Sequence, residues 1–474
     1  MSDWIDTDLC VIGGGSGGLS VAAGAAQMGA SVVLIEGHRM GGDCLNYGCV
    51  PSKALIAAAK KAHAHRSSAP FGVTADEPAV DYAAAMDHVK RAIATIAPHD
   101  SVERFEGLGV RVIEARAAFC SPSEVEAGGH VIRARRFVVA TGSSPFVPPI
   151  PGLDSVPYLT NETLWDLRER PSRLIVIGGG PIGLEMAQAH RRLGCEVVVL
   201  EAFKALARDD AEIAAIALDR LRAEGIDIRE GAKATEVSGS AGAIRVGLEG
   251  GDAVEGSHLL VAVGRRANVS GLGLDKAGVE HTDKGVTVDG GLRSVSNRRV
   301  YAIGDVAGGL QFTHVANYQA GLVIRNALFR LPVRNRTDIV PWATYTDPEI
   351  AQVGMTEAEA AESLPHGWEV HRFDFAGNDR AIAEGRTEGL IKVVVAKGGK
   401  IRGASIVGPQ AGELILPWAL AMSQGLKIGA MAGVIAPYPT LSEVSKRVAG
   451  AYYTPRIFGR PWIKRLIRLL ARLG

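Results

Sequence analysis

Cysteine is scarce in this chain: five in 474 residues, at positions 10, 44, 49, 120 and 195, and none after Cys195. So sparse a set excludes a small secreted scaffold held together by disulfides. Cys10 and Cys195 lie in or beside apolar, strand-like segments and are expected as small core residues. Neither sign of charge is in excess, with 52 Lys and Arg against 51 Asp and Glu, so nothing argues for nucleic acid or an acidic partner. No run of about twenty apolar residues occurs, so no spanning helix is expected. The opening segment Met1-Ser2-Asp3-Trp4-Ile5-Asp6-Thr7-Asp8 lacks a basic region followed by an apolar one. No signal peptide is expected, the cytoplasm is the default location, and no resident metal site is expected.

What the chain has in quantity is glycine: 58 residues gathered in short runs, which points to turns that cradle phosphate. The length and the 47% hydrophobic content suit several domains around large cores. Asp8 to Ile12 reads as a short buried strand running into Gly13-Gly14-Gly15-Ser16-Gly17-Gly18, and Leu19 to Met28 as a helix. Gly13, Gly15 and Gly18 meet the G-x-G-x-x-G pattern, and the next strand, Ser31 to Ile35, ends in Glu36. The glycines admit a pyrophosphate to the helix N-terminus while the carboxylate accepts from a ribose hydroxyl. A second copy follows: Leu174 to Ile177, then Gly178, Gly180 and Gly183, a helix from Leu184, and the strand Val197 to Leu200 ending in Glu201. One chain therefore carries two dinucleotide sites.

Between them stands Gly41-Gly42-Asp43-Cys44-Leu45-Asn46-Tyr47-Gly48-Cys49-Val50-Pro51-Ser52-Lys53. Pro51 fits a first helical turn and Ala54 to Lys61 is strongly helix-forming, so Cys49 is placed near a helix N-terminus. Unpaired N–H groups and the dipole there favour a thiolate, and Lys53, one turn on, adds positive charge on the same face. Four intervening residues, with Gly48 supplying freedom, can curl to disulfide distance. A redox-active pair is expected rather than two inert buried thiols. Two nucleotide sites plus such a pair imply a relay from a nicotinamide through a flavin to sulfur.

This motif resembles the signature of the flavoprotein disulfide reductases, a family that includes dihydrolipoamide dehydrogenases, glutathione reductases and mercuric reductases. The resemblance extends over about residues 5 to 455. It implies an α/β fold with two Rossmann-like dinucleotide-binding domains plus a C-terminal α+β dimerisation domain. The boundaries it suggests are 1–148 for the first part of an FAD-binding domain with a helical excursion at 54–106, 149–270 for an NAD(P)-binding domain, 271–340 for the second FAD part, 341–455 for the dimer-interface domain, and 456–474 for a basic tail. Helices are expected over 54–66, 80–106 and near 411–424. By resemblance the first site holds FAD and the second the nicotinamide, Cys49 is the flavin-proximal thiol, and Cys44 is the interchange thiol. Glu185 pairs with Lys53 beside the flavin. Thr141 and Gly142 close over the flavin's dinucleotide with Gly42 and Asp43 near it, Gly264 marks the exit from the nicotinamide domain, and Gly304-Asp305 supplies an acid for the ribityl hydroxyls. Thr313, His314 and Val315 open a helix whose N–H groups face the flavin, so His314 acts through its backbone. Asp43 departs from the family's usual Thr, and an acid there opposes thiolate formation modestly.

The family's substrate site lies between two subunits, so a homodimer is implied. Lipoamide and glutathione enzymes place at position 438 a His held by the acid at Glu443; here the residue is Tyr438. Mercuric reductases resemble the chain in carrying Tyr, but their terminal cysteine pair and N-terminal Cys-x-x-Cys domain have no counterpart. The expected activity is NADH-driven reduction of a small-molecule or protein disulfide or a thiol-linked acceptor, with NADPH also possible as donor. A metal-ion reductase, a dihydrolipoamide dehydrogenase, and a non-turnover redox sensor or membrane-docked flavoprotein are the alternatives. Finally, Trp462, Ile463, Leu466, Ile467, Leu470 and Leu473 form one helical face, with Lys464, Arg465, Arg468 and Arg472 largely opposite. Such a helix over 460–474 can lie on an anionic membrane surface or pack on its own dimer.

Overall fold

The structure is a computed structural model that describes residues 3–473. Two compact units divide the chain: Met1–Ala202 with Ala232–Asn335, and Phe203–Gly231 with Arg336–Gly474. Met1, Ser2 and Gly474 lie outside the described residues.

The first unit is built on two sheets. In one, Val110–Glu114, Val32–Glu36, Asp3–Ile12 and His130–Val139 run parallel side by side, and Val300–Ala302 adds a further parallel strand beside His130–Val139. Val32–Glu36 short of its terminal acid, Val300–Ala302 and the last residues of Asp3–Ile12 and His130–Val139 are apolar and buried on both faces, as parallel strands covered on two sides must be. Register lines up their ends: Ile12 pairs with Ile35 and with Val139, and Val139 pairs with Ala302. The loops carrying Gly13, Glu36, Thr141 and Asp305 thus leave one edge together, where ligands bind in open α/β sheets. The other sheet sets Glu196–Glu201, Arg173–Ile177, His258–Val261 and Tyr158–Leu159 in parallel, with Leu200 and Val261 both opposite Ile177.

Helix Cys49–Arg66 packs against helices Tyr82–Ile96 and Pro181–Arg192. The buried His190 ties the last two together, its Nε2 lying 3.0 Å from the Tyr82 hydroxyl and its Nδ1 2.8 Å from the Met186 carbonyl. Burial lowers its pKa to about 4, so the ring is neutral at physiological pH. The single helix expected over 80–106 is instead broken. Tyr82–Ile96 gives way to a 3₁₀ turn, Ala97–Asp100, and Ser101 caps a new helix, Val102–Gly107. Pro98 has no N–H with which to continue the first helix.

In the second unit, Pro341–Thr344, Glu349–Gly354, Lys400–Gly408, Leu390–Ala396 and Trp368–Asp374 form an antiparallel sheet in that order. Its core surrounds the fully buried Trp418, whose indole N–H donates to Ser445 Oγ at 3.0 Å. The helix expected near 411–424 is two, Ala411–Leu414 and Leu416–Ser423. Pro417 stands in the first turn of the second, where its missing N–H removes a bond that would join them.

Candidate active site

Two loops form the first cradle. Gly18 is held there by close approach, because a Cβ on it would lie 1.8 Å from the Gly13 carbonyl oxygen. Glu36 at the end of its strand accepts from the backbone N–H groups of Gly14 at 2.5 Å and His38 at 2.7 Å, which fixes its carboxylate beside the N-terminus of helix Ser16–Gln27. Gly15 bridges to Gly41, and Gly42 lies against Gly15 so closely that a Cβ on it would meet Gly15 Cα at 2.6 Å. That contact couples the cradle to the cysteine segment. Thr141 donates to the Asn268 carbonyl at 2.8 Å, with Gly142 at a φ of +65° beside it. The second cradle repeats the plan. Glu201 accepts from Gly179 N–H at 2.7 Å, and Gly183 touches Gly178 as Gly18 touches Gly13. A Cβ on Gly180 would meet nothing within 4 Å, which leaves open space before helix Pro181–Arg192.

Cys44 lies in the short helix Gly42–Asn46 and Cys49 is the first residue of Cys49–Arg66; both are thiols, hydrogen-bonded to each other. Cys49 Sγ lies 3.3 Å from Thr313 Oγ1. Its pKa is lowered to about 6: the Cys44 hydrogen bond is the main cause, burial opposes, and Thr313 and the Lys53 charge assist. Cys44 is pushed up for the complementary reason, since its proton is held by the neighbouring sulfur. Lys53 Nζ in turn pairs with Glu185 Oε2 at 2.7 Å, the carboxylate nearly buried and the lysine partly exposed. At the start of helix Thr313–Ala327, the His314 ring stacks on Phe312 at 5.3 Å, and Val315 N–H donates to the Phe312 carbonyl at 3.1 Å.

Asp43 sits in a bridge that reaches the other side of the sheet edge. Arg265 Nη2 lies 3.0 Å from Asp43 Oδ1, while its Nε donates to Ser143 Oγ at 2.7 Å; that hydroxyl donates to Asp305 Oδ2 at 2.5 Å. Asn161 donates a further bond to Asp43 at 3.2 Å. Burial raises the Asp305 pKa, Ser143 and Arg265 pull it back, and Asp43 adds to the rise. In the second unit the Tyr438 hydroxyl donates to Asp379 Oδ2 at 2.8 Å, with the ring 69% exposed. The bond and charge of Asp379 hold the phenol above its ordinary pKa, and Glu443, first residue of helix Glu443–Ile457, pushes the same way.

The model of the family described as "Pyridine nucleotide-disulphide oxidoreductase" matches residues 7–320, and that of its dimerisation domain matches 340–449. The chain belongs to the pyridine nucleotide-disulphide oxidoreductase family. It is 38% identical to a dihydrolipoyl dehydrogenase of Thermus scotoductus, covering 95% of this chain and 98% of that one. It is 35% identical to a mercuric reductase of Bacillus cereus over 92% of this chain and 70% of that one. Among solved structures, the HOCl-induced flavoprotein disulfide reductase RclA from Escherichia coli aligns with a TM-score of 0.84 at 28% identity, covering 94% of this chain and 99% of that one. LpdA from Mycobacterium tuberculosis aligns at 0.86 and 28%, with the same coverage of each chain.

As a member of this family the chain is an NAD(P)H-dependent flavoprotein oxidoreductase with a dimerisation domain. The residues present fit the two nucleotides: a Cβ on Gly15 would meet only Gly42 Cα at 3.8 Å and one on Gly180 nothing within 4 Å, and each cradle has its carboxylate held by the backbone of its glycine turn. Sequence reading missed Arg265, Ser143, Asn161 and Asp379. Arg265 directly follows Gly264, but its partner Ser143 is 122 positions away in sequence and Asp43 lies further still, beyond the reach of any spacing rule. For this oxidoreductase we expect Asp43→Thr to lower the titration midpoint of Cys49 by less than about one pH unit, because Asp43 is the weakest of the influences on that thiol. The pH profile of alkylation by iodoacetamide reads it, and an upward shift would contradict the sign.

Proposed function

We propose that this chain takes electrons from NADH and reduces an external disulfide or thiol-linked acceptor at a site completed by a second copy of the chain. The observation that carries the reading is the pair Cys44 and Cys49, one sulfur holding the proton and the other poised as a thiolate beside Lys53 and Thr313. With FAD bound, the Cys44–Cys49 disulfide would receive two electrons and a proton originating from NADH and become a thiol and a thiolate. Cys44 then passes its proton along the hydrogen bond to Cys49 and attacks one sulfur of the acceptor R–S–S–R′. R′S⁻ departs and takes a proton from solvent. Cys49 gives its proton to solvent, attacks Cys44 Sγ as a thiolate, releases RS⁻ and restores the disulfide. Lys53 and Glu185 hold charge beside the thiolate throughout.

Glu201 favours NADH. Its carboxylate is fixed at the strand end, where it accepts from a ribose 2′-hydroxyl and repels a 2′-phosphate. Lys204 has a carboxylate of its own at 4.0 Å, in Glu230. We expect kcat/KM for NADH to exceed that for NADPH at least about tenfold, with Glu201→Ala narrowing the ratio, since a facing like charge costs several kcal/mol. Equal values would refute the preference.

Tyr438 favours a second reading, a metal-ion reductase, because a metal substrate needs no thiol protonation. Against it, no cysteine follows Cys195 to deliver a metal ion to the Cys44–Cys49 pair. The experiment is anaerobic reduction by NADH followed by oxidation with disulfides, lipoamide, metal ions and quinones in turn. Fast reoxidation by a metal ion and not by any disulfide would overturn the first reading.

A further inference from the structure

The last helix of the chain, Pro461–Leu470, has a proline in its first turn and buries none of its residues. Trp462, Leu466, Ile467, Leu469, Leu470 and Leu473 are between 44% and 77% exposed. At about 100° per residue they occupy one arc of roughly 160°, and Lys464, Arg465, Arg468 and Arg472 fall together in the remainder. No Asp or Glu follows Glu443, so the segment carries charge of one sign only. We propose that this helix lies in the headgroup layer of an anionic phospholipid membrane, apolar face down, and so holds the reductase at the membrane surface.

Charge and length choose the occupant. Ten residues span about 15 Å, half the hydrocarbon core, so the helix lies along the surface rather than across it. No helix among the described residues is long and apolar enough to span a membrane. If this face met the same face of a second copy, two cationic flanks would be brought edge to edge with no acid from either segment between them. Anionic headgroups supply the missing counter-charge, and Trp462 suits the interface.

The test uses the full-length FAD-loaded protein in flotation with phosphatidylglycerol-containing vesicles and with pure phosphatidylcholine vesicles. It should float with the first, weakly with the second, and less as salt rises. Arg468→Ala should lower partitioning about fivefold, from about 1 kcal/mol per basic residue at such a surface, and Leu466→Glu with Leu470→Glu should abolish it. The double variant should keep NADH oxidation and its oligomeric state, since none of the site residues lies in this helix. Failure to float with either vesicle would overturn the proposal. So would equal flotation with both, or loss of the dimer in the double variant, which would assign the face to a second copy.

Discussion

Cys49→Ser is expected to cost at least about a thousandfold in NADH-driven disulfide reduction and to remove the long-wavelength absorbance that a thiolate gives beside an oxidised flavin. No thiol outside the Cys44–Cys49 pair can replace it. Cys10 and Cys195 are buried with pKa values raised by burial, and Cys120 is held above its ordinary value by burial and by the charges of Glu126 and Glu124. Cys44→Ser should be equally poor in turnover but should keep the absorbance permanently, because Cys49 then has no sulfur partner and remains a thiolate. The structure adds a finer expectation. The hydrogen bond from Cys44 is the largest influence lowering the Cys49 pKa to about 6, ahead of Thr313 and Lys53. A serine at 44 keeps a donor and an alanine does not. The absorbance in Cys44→Ser should therefore fade as pH falls toward 6, and in Cys44→Ala it should fade at a higher pH. If Cys44→Ser loses the absorbance and Cys49→Ser keeps it, the roles of the two sulfurs are reversed.

The chemistry was legible because it is written in short-range patterns. Gly13, Gly15 and Gly18 with Glu36, and Gly178, Gly180 and Gly183 with Glu201, each lie within one strand-turn-helix-strand unit, and the structure puts both carboxylates on the backbone of their own glycine turns. Cys49 as a helix N-terminus followed from Pro51 and the alanine-rich stretch, and the helix starts at that residue. The two misplaced helices, over 80–106 and near 411–424, each run through a proline, Pro98 and Pro417, whose cost to helix continuity outweighs the flanking helix formers. What could not be read were partnerships made by tertiary folding. Arg265 joins Asp43 to Ser143, and Asp379 meets Tyr438 from 59 positions away. Glu443, the acid that in lipoamide and glutathione enzymes holds a His at position 438, raises the Tyr438 pKa less than Asp379 does, and the Tyr438 hydroxyl is bonded to Asp379.

That last contact bears on the acceptor. We expect dihydrolipoamide to reduce NAD⁺ through this enzyme at least about a hundredfold more slowly than NADH reduces an activated aromatic disulfide, because general acid–base catalysis of thiol chemistry is worth about 10² to 10⁴. An ordinary tyrosine, with pKa near 10, is ionised at pH 7 in only about one molecule in a thousand. Asp379 and Glu443 both hold the Tyr438 phenol above that value, so still less phenolate is available at pH 7 to take a proton. As an acid it is equally unsuited to alkyl thiolates, and since both directions of the lipoamide reaction share one transition state, lipoamide reduction must be slow as well. The demand disappears for an acceptor whose departing sulfur is stable as a thiolate, because leaving ability rises as the thiol's pKa falls. Such acceptors should react briskly, and Tyr438→Phe should then cost less than about tenfold, below what general acid catalysis supplies. Steady-state assays in both directions at neutral pH decide it: rapid NAD⁺ reduction by dihydrolipoamide would mean that another group serves as the base, and loss of that activity in His314→Gln would identify it.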